Sequence, residues 1–170
     1  STRTRFKKLL GKFPKDLAPK EKFSTLYRQA STQGKRTLAF RMRWILDEIG
    51  SGINDGYSPK SSDFRAASPS VLLWMGRTST KQGDSTMATN ALQRLVSLYA
   101  DSGEFVFDAL VLLGDLEIRN GNNRQAERHY AQAYSDFAFH PRAYAALLKL
   151  GDTRLAIGKS DNSTEKLLAA

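Results

Sequence analysis

The 170-residue sequence contains no cysteine. That excludes a disulfide framework, a zinc ribbon, an iron–sulfur site and a thiol nucleophile. Histidine is nearly as scarce. The two present, His129 and His140, stand in no metal-binding spacing such as H-E-x-x-H. His129 lies beside Tyr130 in a helical stretch and His140 precedes Pro141 in a connection, so both read as structural or exposed. No apolar run reaches the roughly 18–20 residues needed to cross a bilayer. Alternating, β-branched strand patterns are missing too. Gly158-Lys159-Ser160 lacks the earlier glycine of a phosphate-binding loop, and there is no G-x-S-x-G. Asp47 and Glu48 fall at a helix end rather than in a cleft. The expectation is a non-enzymatic chain with no catalytic residue, no metal site, no cofactor and no small-molecule substrate. Asn162-Ser163-Thr164 is a glycosylation triplet, a pattern common by chance.

What is present is ordinary in amount and uneven in placement. Hydrophobic residues are 41% and charged residues 25% of the chain, as in a soluble globular protein. The net charge is +9. Residues 1–50 carry 13 Lys/Arg against 4 Asp/Glu, while residues 51–170 carry 13 of each. The whole excess therefore lies in the first third. Such a block suits an anionic partner, or serves as a solvated face.

Four segments follow from the patterning. Residues 1–18 are a basic N-terminal segment. Phe6, Leu9, Leu10 and Phe13 share one face of a short amphipathic helix, and Arg5, Lys7, Lys8 and Lys12 fill the other. Residues 19–49 read as two helices, about 19–33 and 36–49, turned at Gly34. Residues 50–69, rich in Gly, Ser, Asn, Asp and Pro, are a long irregular loop, either a flexible linker or a functional arm that Tyr57 and Phe64 could anchor. From residue 70 helices return in pairs: about 70–82 with 86–99, 104–120 with 124–137, and 141–157 with 163–170.

These pairs repeat. Gly76, Gly114 and Gly151 recur at spacings of 38 and 37, as do Gly83, Gly121 and Gly158 seven residues later. Five residues further on stands a small residue: Ala88, Ala126 or Ser163. The first glycine admits a close second helix, the second ends the first helix and turns the chain, and the small residue sits where the helices touch.

The pattern resembles the tetratricopeptide repeat. Leu110, Leu113, Gly114, Gly121, Ala126, Tyr130 and Ala133 stand at that family's signature positions. Leu72, Met75, Gly76, Gly83, Ala88, Leu92 and Leu95 do so in the preceding unit, and Leu147, Leu150, Gly151 and Gly158 in the following one. Phe23, Gly34 and Ala39 keep the spacing in a degenerate first unit, where Tyr27 replaces a small residue. The period exceeds the family's usual 34 residues, as in bacterial envelope-assembly members. The resemblance implies an all-α, right-handed α-solenoid of three to four helix-turn-helix units, the last one incomplete. First helices would line the concave face. Its candidate groove residues are Arg28 (with Ser24 and Ser31), Arg77, Thr80, Lys81, Asp108, Val111, Asp115, Arg119, Leu148, Asp152 and Leu155. Asp115 and Asp152 argue against a clamp for a peptide's terminal carboxylate.

Three functions compete. The first is a scaffold or adaptor that holds a protein partner through its concave face and open C-terminal end inside a larger assembly. The second is RNA contact within a ribosome or ribonucleoprotein, through Lys35, Arg36, Arg41 and Arg43 near Phe40 and Trp44, two rings that stand four apart on one helix face and read equally as core. The third is peripheral attachment to a membrane surface through residues 3–13, with Arg3, Arg5, Lys7, Lys8 and Lys12 as contacts. No compartment is specified. The chain reads as soluble or peripheral, and as compatible with a processed mature form.

Overall fold

A computed structural model describes residues 19–48, 59–60 and 67–168. The expected helix over 1–13, most of the 50–69 loop and the groups Arg3, Arg5, Lys7, Lys8, Lys12, Tyr57 and Phe64 lie outside the described residues. Among those described there are seven helices and no strand. The chain divides into two compact units, Ser1–Tyr57 and Ser58–Ala170.

The first unit holds α1 (Pro19–Thr32) and α2 (Arg36–Glu48), packed as a pair. Helical spacing brings Phe23 of α1 against Met42 and Leu46 of α2, with Leu26, Tyr27, Leu38 and Ile45 around them. Phe40 is buried, so its ring belongs to packing, while Trp44 is half-buried with its indole nitrogen inside.

The second unit holds α3 (Pro69–Lys81), α4 (Ser85–Leu98), α5 (Gly103–Arg119), α6 (Asn123–Asp136) and α7 (Ala143–Leu168). Each packs on the next, and α3 also packs on α5, which is the arrangement of a helical repeat solenoid. Two fully buried rows form the core: Leu72, Met75, Leu92 and Leu95 in α3–α4, then Phe107, Leu110, Leu113 and Tyr130 in α5–α6. Burying a side chain of this size stabilises by about 1.5–3 kcal/mol.

One turn geometry recurs across both units. Gly34, Gly83 and Gly121 have φ of 64°, 79° and 78°, a region that costs glycine little. The residue after each donates its N–H five positions back: Lys35 to Ala30 O at 2.8 Å, Asp84 to Ser79 O at 2.9 Å, Asn122 to Glu117 O at 2.8 Å. This 6→1 bond closes the helix end. Asp84 then caps α4, its Oδ1 accepting from the Met87 N–H at 2.9 Å.

The last pair departs from expectation. Residues 143–168 are one helix of 26 residues, and Gly158 lies inside it. Residues 159–166 (KSDNSTEK) are all polar, so folding them back would bury little apolar surface. Continuing the helix keeps its backbone bonds, at a cost of about 1 kcal/mol for an interior glycine.

Candidate functional site

A cleft opens between α5 and α7, lined by Asp115, Ile118, Arg119, Asn123, Tyr130, Lys149, Asp152, Thr153 and Ala156. Its floor is polar and internally bonded. Asp115 Oδ1 accepts from the Tyr130 hydroxyl at 2.6 Å and from Lys149 Nζ at 2.6 Å. The ammonium also sits 5.7 Å from the centre of the Tyr130 ring. Burial, and then the bond and the charge of Asp115, push the Tyr130 phenol far above its ordinary range, so it stays a neutral donor. The cleft wall carries two exposed charges of opposite sign, Arg119 and Asp152. Neither has an ion-pair partner among the described residues. The exposed flank of Ile118 supplies apolar surface between them.

A second carboxylate ties three units of chain together. Asp108 of α5 accepts from Arg77 of α3 at 2.7 Å and from Arg142, which precedes α7. Only 12% of the Asp108 side chain is exposed, whereas both arginines are about half exposed, at 50% and 51%. The Arg142 guanidinium lies 5.6 Å from the Phe107 ring centre, and His140 stacks on that ring at 3.9 Å.

The structure thus distributes the expected groove residues unequally. It brings Asp115, Arg119 and Asp152 into one cleft. Arg77 and Asp108 neutralise each other. Thr80 turns back to bond Gly76 O at 2.8 Å, Lys81 is exposed, and Val111 packs on the cluster of Ala126, Tyr130 and Leu150. Leu148 and Leu155 stand on an exposed flank of α7, outside the residues that line the cleft. Arg28 is exposed on α1 in the other unit. Sequence reasoning missed Lys149, whose position three residues before Asp152 places it on the same helix face. It also read Tyr130 only as a signature position of the repeat, overlooking the hydroxyl that reaches Asp115.

Of the basic cluster, Lys35 and Arg41 are exposed and Arg36 is half-buried. Arg43 corrects the expectation of a solvent-facing contact: it is buried, and its guanidinium pairs with Asp47 one helical turn on. Among the described residues no group of three or more His, Asp or Glu is placed to hold a metal ion. None of their helices is long and apolar enough to cross a membrane.

The helix pairs, their glycine-centred contacts and their shared turn are now joined by a direct comparison. Residues 70–102, which span α3, the Gly83 turn and α4, match the tetratricopeptide repeat family. These residues form a tetratricopeptide repeat. The α5–α6 pair repeats the same unit, with Gly114 under Tyr130 where Gly76 lies under Leu92. No curated protein matches the sequence. Tetratricopeptide repeats are protein-interaction modules, typically without catalysis of their own, so the coarse function is that of an interaction scaffold.

Proposed function

We propose that the α5–α7 cleft is the concave-face site that takes a segment of a protein partner, and that the chain works as a subunit of a larger assembly. The observation that carries this reading is the cleft's charge pattern. The buried side of the wall is satisfied within the chain, through Asp115, Tyr130 and Lys149. Arg119 and Asp152 remain exposed at the mouth beside Ile118 and Ala156. Such a surface suits a peptide with an apolar side chain between an acidic and a basic residue. Opposite charges then fix direction and register more than they add affinity.

A random peptide library displayed on phage tests the reading. Selection on the intact chain is expected to enrich sequences with an acidic–apolar–basic order. Their binding should fall at least tenfold on Asp152→Lys and on Arg119→Glu, and recover in peptides with the charges exchanged. Failure to enrich any motif, or a motif that binds both variants equally well, would overturn the assignment of the cleft.

A further inference from the structure

The first unit carries a charge pattern that its own packing does not satisfy. Between Glu21 and Asp47 the sequence holds six Lys or Arg and no Asp or Glu. Phe23, near the start of α1, packs with Leu46, near the end of α2, so the two helices run antiparallel. Glu21, Asp47 and Glu48 therefore lie at the end of the hairpin opposite Gly34. Lys35 follows Gly34 directly. Arg28 and Arg41 stand six and seven residues from it, about 9–11 Å along the helices at 1.5 Å per residue. Arg43 is taken up by Asp47. Arg28, Lys35 and Arg41 are exposed, and none of them forms an ion pair among the described residues.

The turn itself does not call for a lysine. Gly83 and Gly121 make the same turn, close the same 6→1 bond, and are followed by Asp84 and Asn122. Asp84 caps its helix, which Lys35, having no side-chain acceptor, cannot do. The surroundings of the three cations narrow the partner. Gln29, Ser31, Thr32, Gln33 and Thr37 are exposed beside them. None of the exposed large apolar side chains among the described residues belongs to the hairpin; all lie in the second unit. A helix that lies on a membrane needs an apolar face to bury, and the core of a protein interface is enriched in aromatic residues. Cations interleaved with amides and hydroxyls are instead the side chains that meet phosphate and sugar oxygens. No aromatic ring of the hairpin is among its exposed side chains, which leaves an unpaired base without a stacking platform.

We propose that the turn end of the α1–α2 hairpin binds the phosphate backbone of a double-stranded nucleic acid through Arg28, Lys35 and Arg41, without reading its bases. This site belongs to a different unit from the cleft and does not depend on it, and the peptide selection tests the cleft separately. The phosphodiester chemistry is common to duplex RNA and duplex DNA, so the two are compared directly. Binding falls with salt, by about 0.9 in the logarithmic slope for each phosphate contacted.

Fluorescence anisotropy tests this on the full chain, with labelled RNA and DNA duplexes of about 20 base pairs, each in two unrelated sequences. The two sequences should bind alike, and the single strands no more tightly than the duplexes. Arg28→Gln, Lys35→Gln and Arg41→Gln should each lower the salt slope by about 1, and the triple variant should weaken binding at least tenfold at about 0.1 M salt. All three side chains are exposed, so helicity by circular dichroism should not change. Arg94→Gln, at an exposed arginine of the second unit, should alter neither slope nor affinity. Tighter binding of the RNA or of the DNA duplex identifies the source, and either supports the proposal. A chain that binds neither duplex overturns it, as does a triple variant that binds like the parent. So does a preference for the single strand, or tighter binding to phosphatidylserine vesicles or to polyglutamate than to both duplexes.

Discussion

Tyr130 lies across Gly114 so closely that a methyl group on that glycine would come within 2.7 Å of the ring's Cδ1 and Cζ. The ring is buried, and its hydroxyl is bonded to Asp115 one residue beyond the same glycine. Position 114 thus sets the spacing of α5 and α6, and position 115 sets the ring's orientation.

Gly114→Ala therefore separates two effects. Alanine favours the helix by about 1 kcal/mol over glycine, while overpacking a core costs typically about 1–3 kcal/mol. The ring cannot swing aside without losing Asp115, so overpacking should win and urea denaturation should show a net loss of stability. Gly76→Ala should also destabilise, against Leu92. Gly151→Ala, in open space, should stabilise by up to about 1 kcal/mol at 1 µM protein.

Asp115 distinguishes a hydrogen bond from a charge. Asp115→Asn keeps an acceptor for the Tyr130 hydroxyl but loses the Lys149 pair, whose ammonium is substantially exposed. A pair of that exposure contributes roughly 0–1 kcal/mol. Asp115→Ala leaves the phenol without its acceptor and should cost about 1–3 kcal/mol. Denaturation midpoints of the two variants, and a cycle with Tyr130→Phe, measure the difference. Equal losses for Asn and Ala would count against the bond to Tyr130.

Asp108 should prove more costly to remove than either of its partners. Asp108→Ala strands two arginines beside each other, with the carboxylate itself mostly buried. A loss of about 1–3 kcal/mol is expected, against at most about 1 kcal/mol for Arg77→Ala or Arg142→Ala, whose guanidinium groups are half exposed. Raising salt should narrow the gap. Thermal melts at low and high ionic strength read it out.

His129 adds a pH dependence. Burial lowers its pKa from 6.5, the charge of Glu117 opposes this, and its Nε2 is buried without a partner among the described residues. The unfolded chain then binds more protons between the folded pKa and 6.5, so stability rises with pH across that window. It is fully present above 6.5 and declines as pH falls below it. His129→Gln should flatten this part of the profile. The difference between wild type and variant, measured by urea denaturation from pH 5 to 8, isolates the histidine from other groups.

Much of the architecture was legible in short spacings. Helix periodicity, the seven-residue glycine interval and the small residue at positions 88 and 126 are local rules, and local rules survive folding. Gly83 and Gly121 turn the chain, and Gly76 and Gly114 admit a second helix, as the spacing indicates. The same reasoning misread Gly158, because a glycine permits a turn without compelling one. The outcome there depends on what the next segment could bury, and KSDNSTEK offers little.

The candidate site was less legible for a related reason. The sequence by itself determined which helices exist, which face of each is apolar and which residues carry charge. Only the tertiary structure decided which charges meet. Arg77 and Asp108, 31 residues apart, cancel each other, as do Asp115 and Lys149 at a separation of 34, while Arg119 and Asp152 stay exposed. Pairing across such separations depends on the offset and crossing of packed helices. Those are set by the close approach at Gly76 and Gly114, and no helical repeat count along one strand of chain contains them.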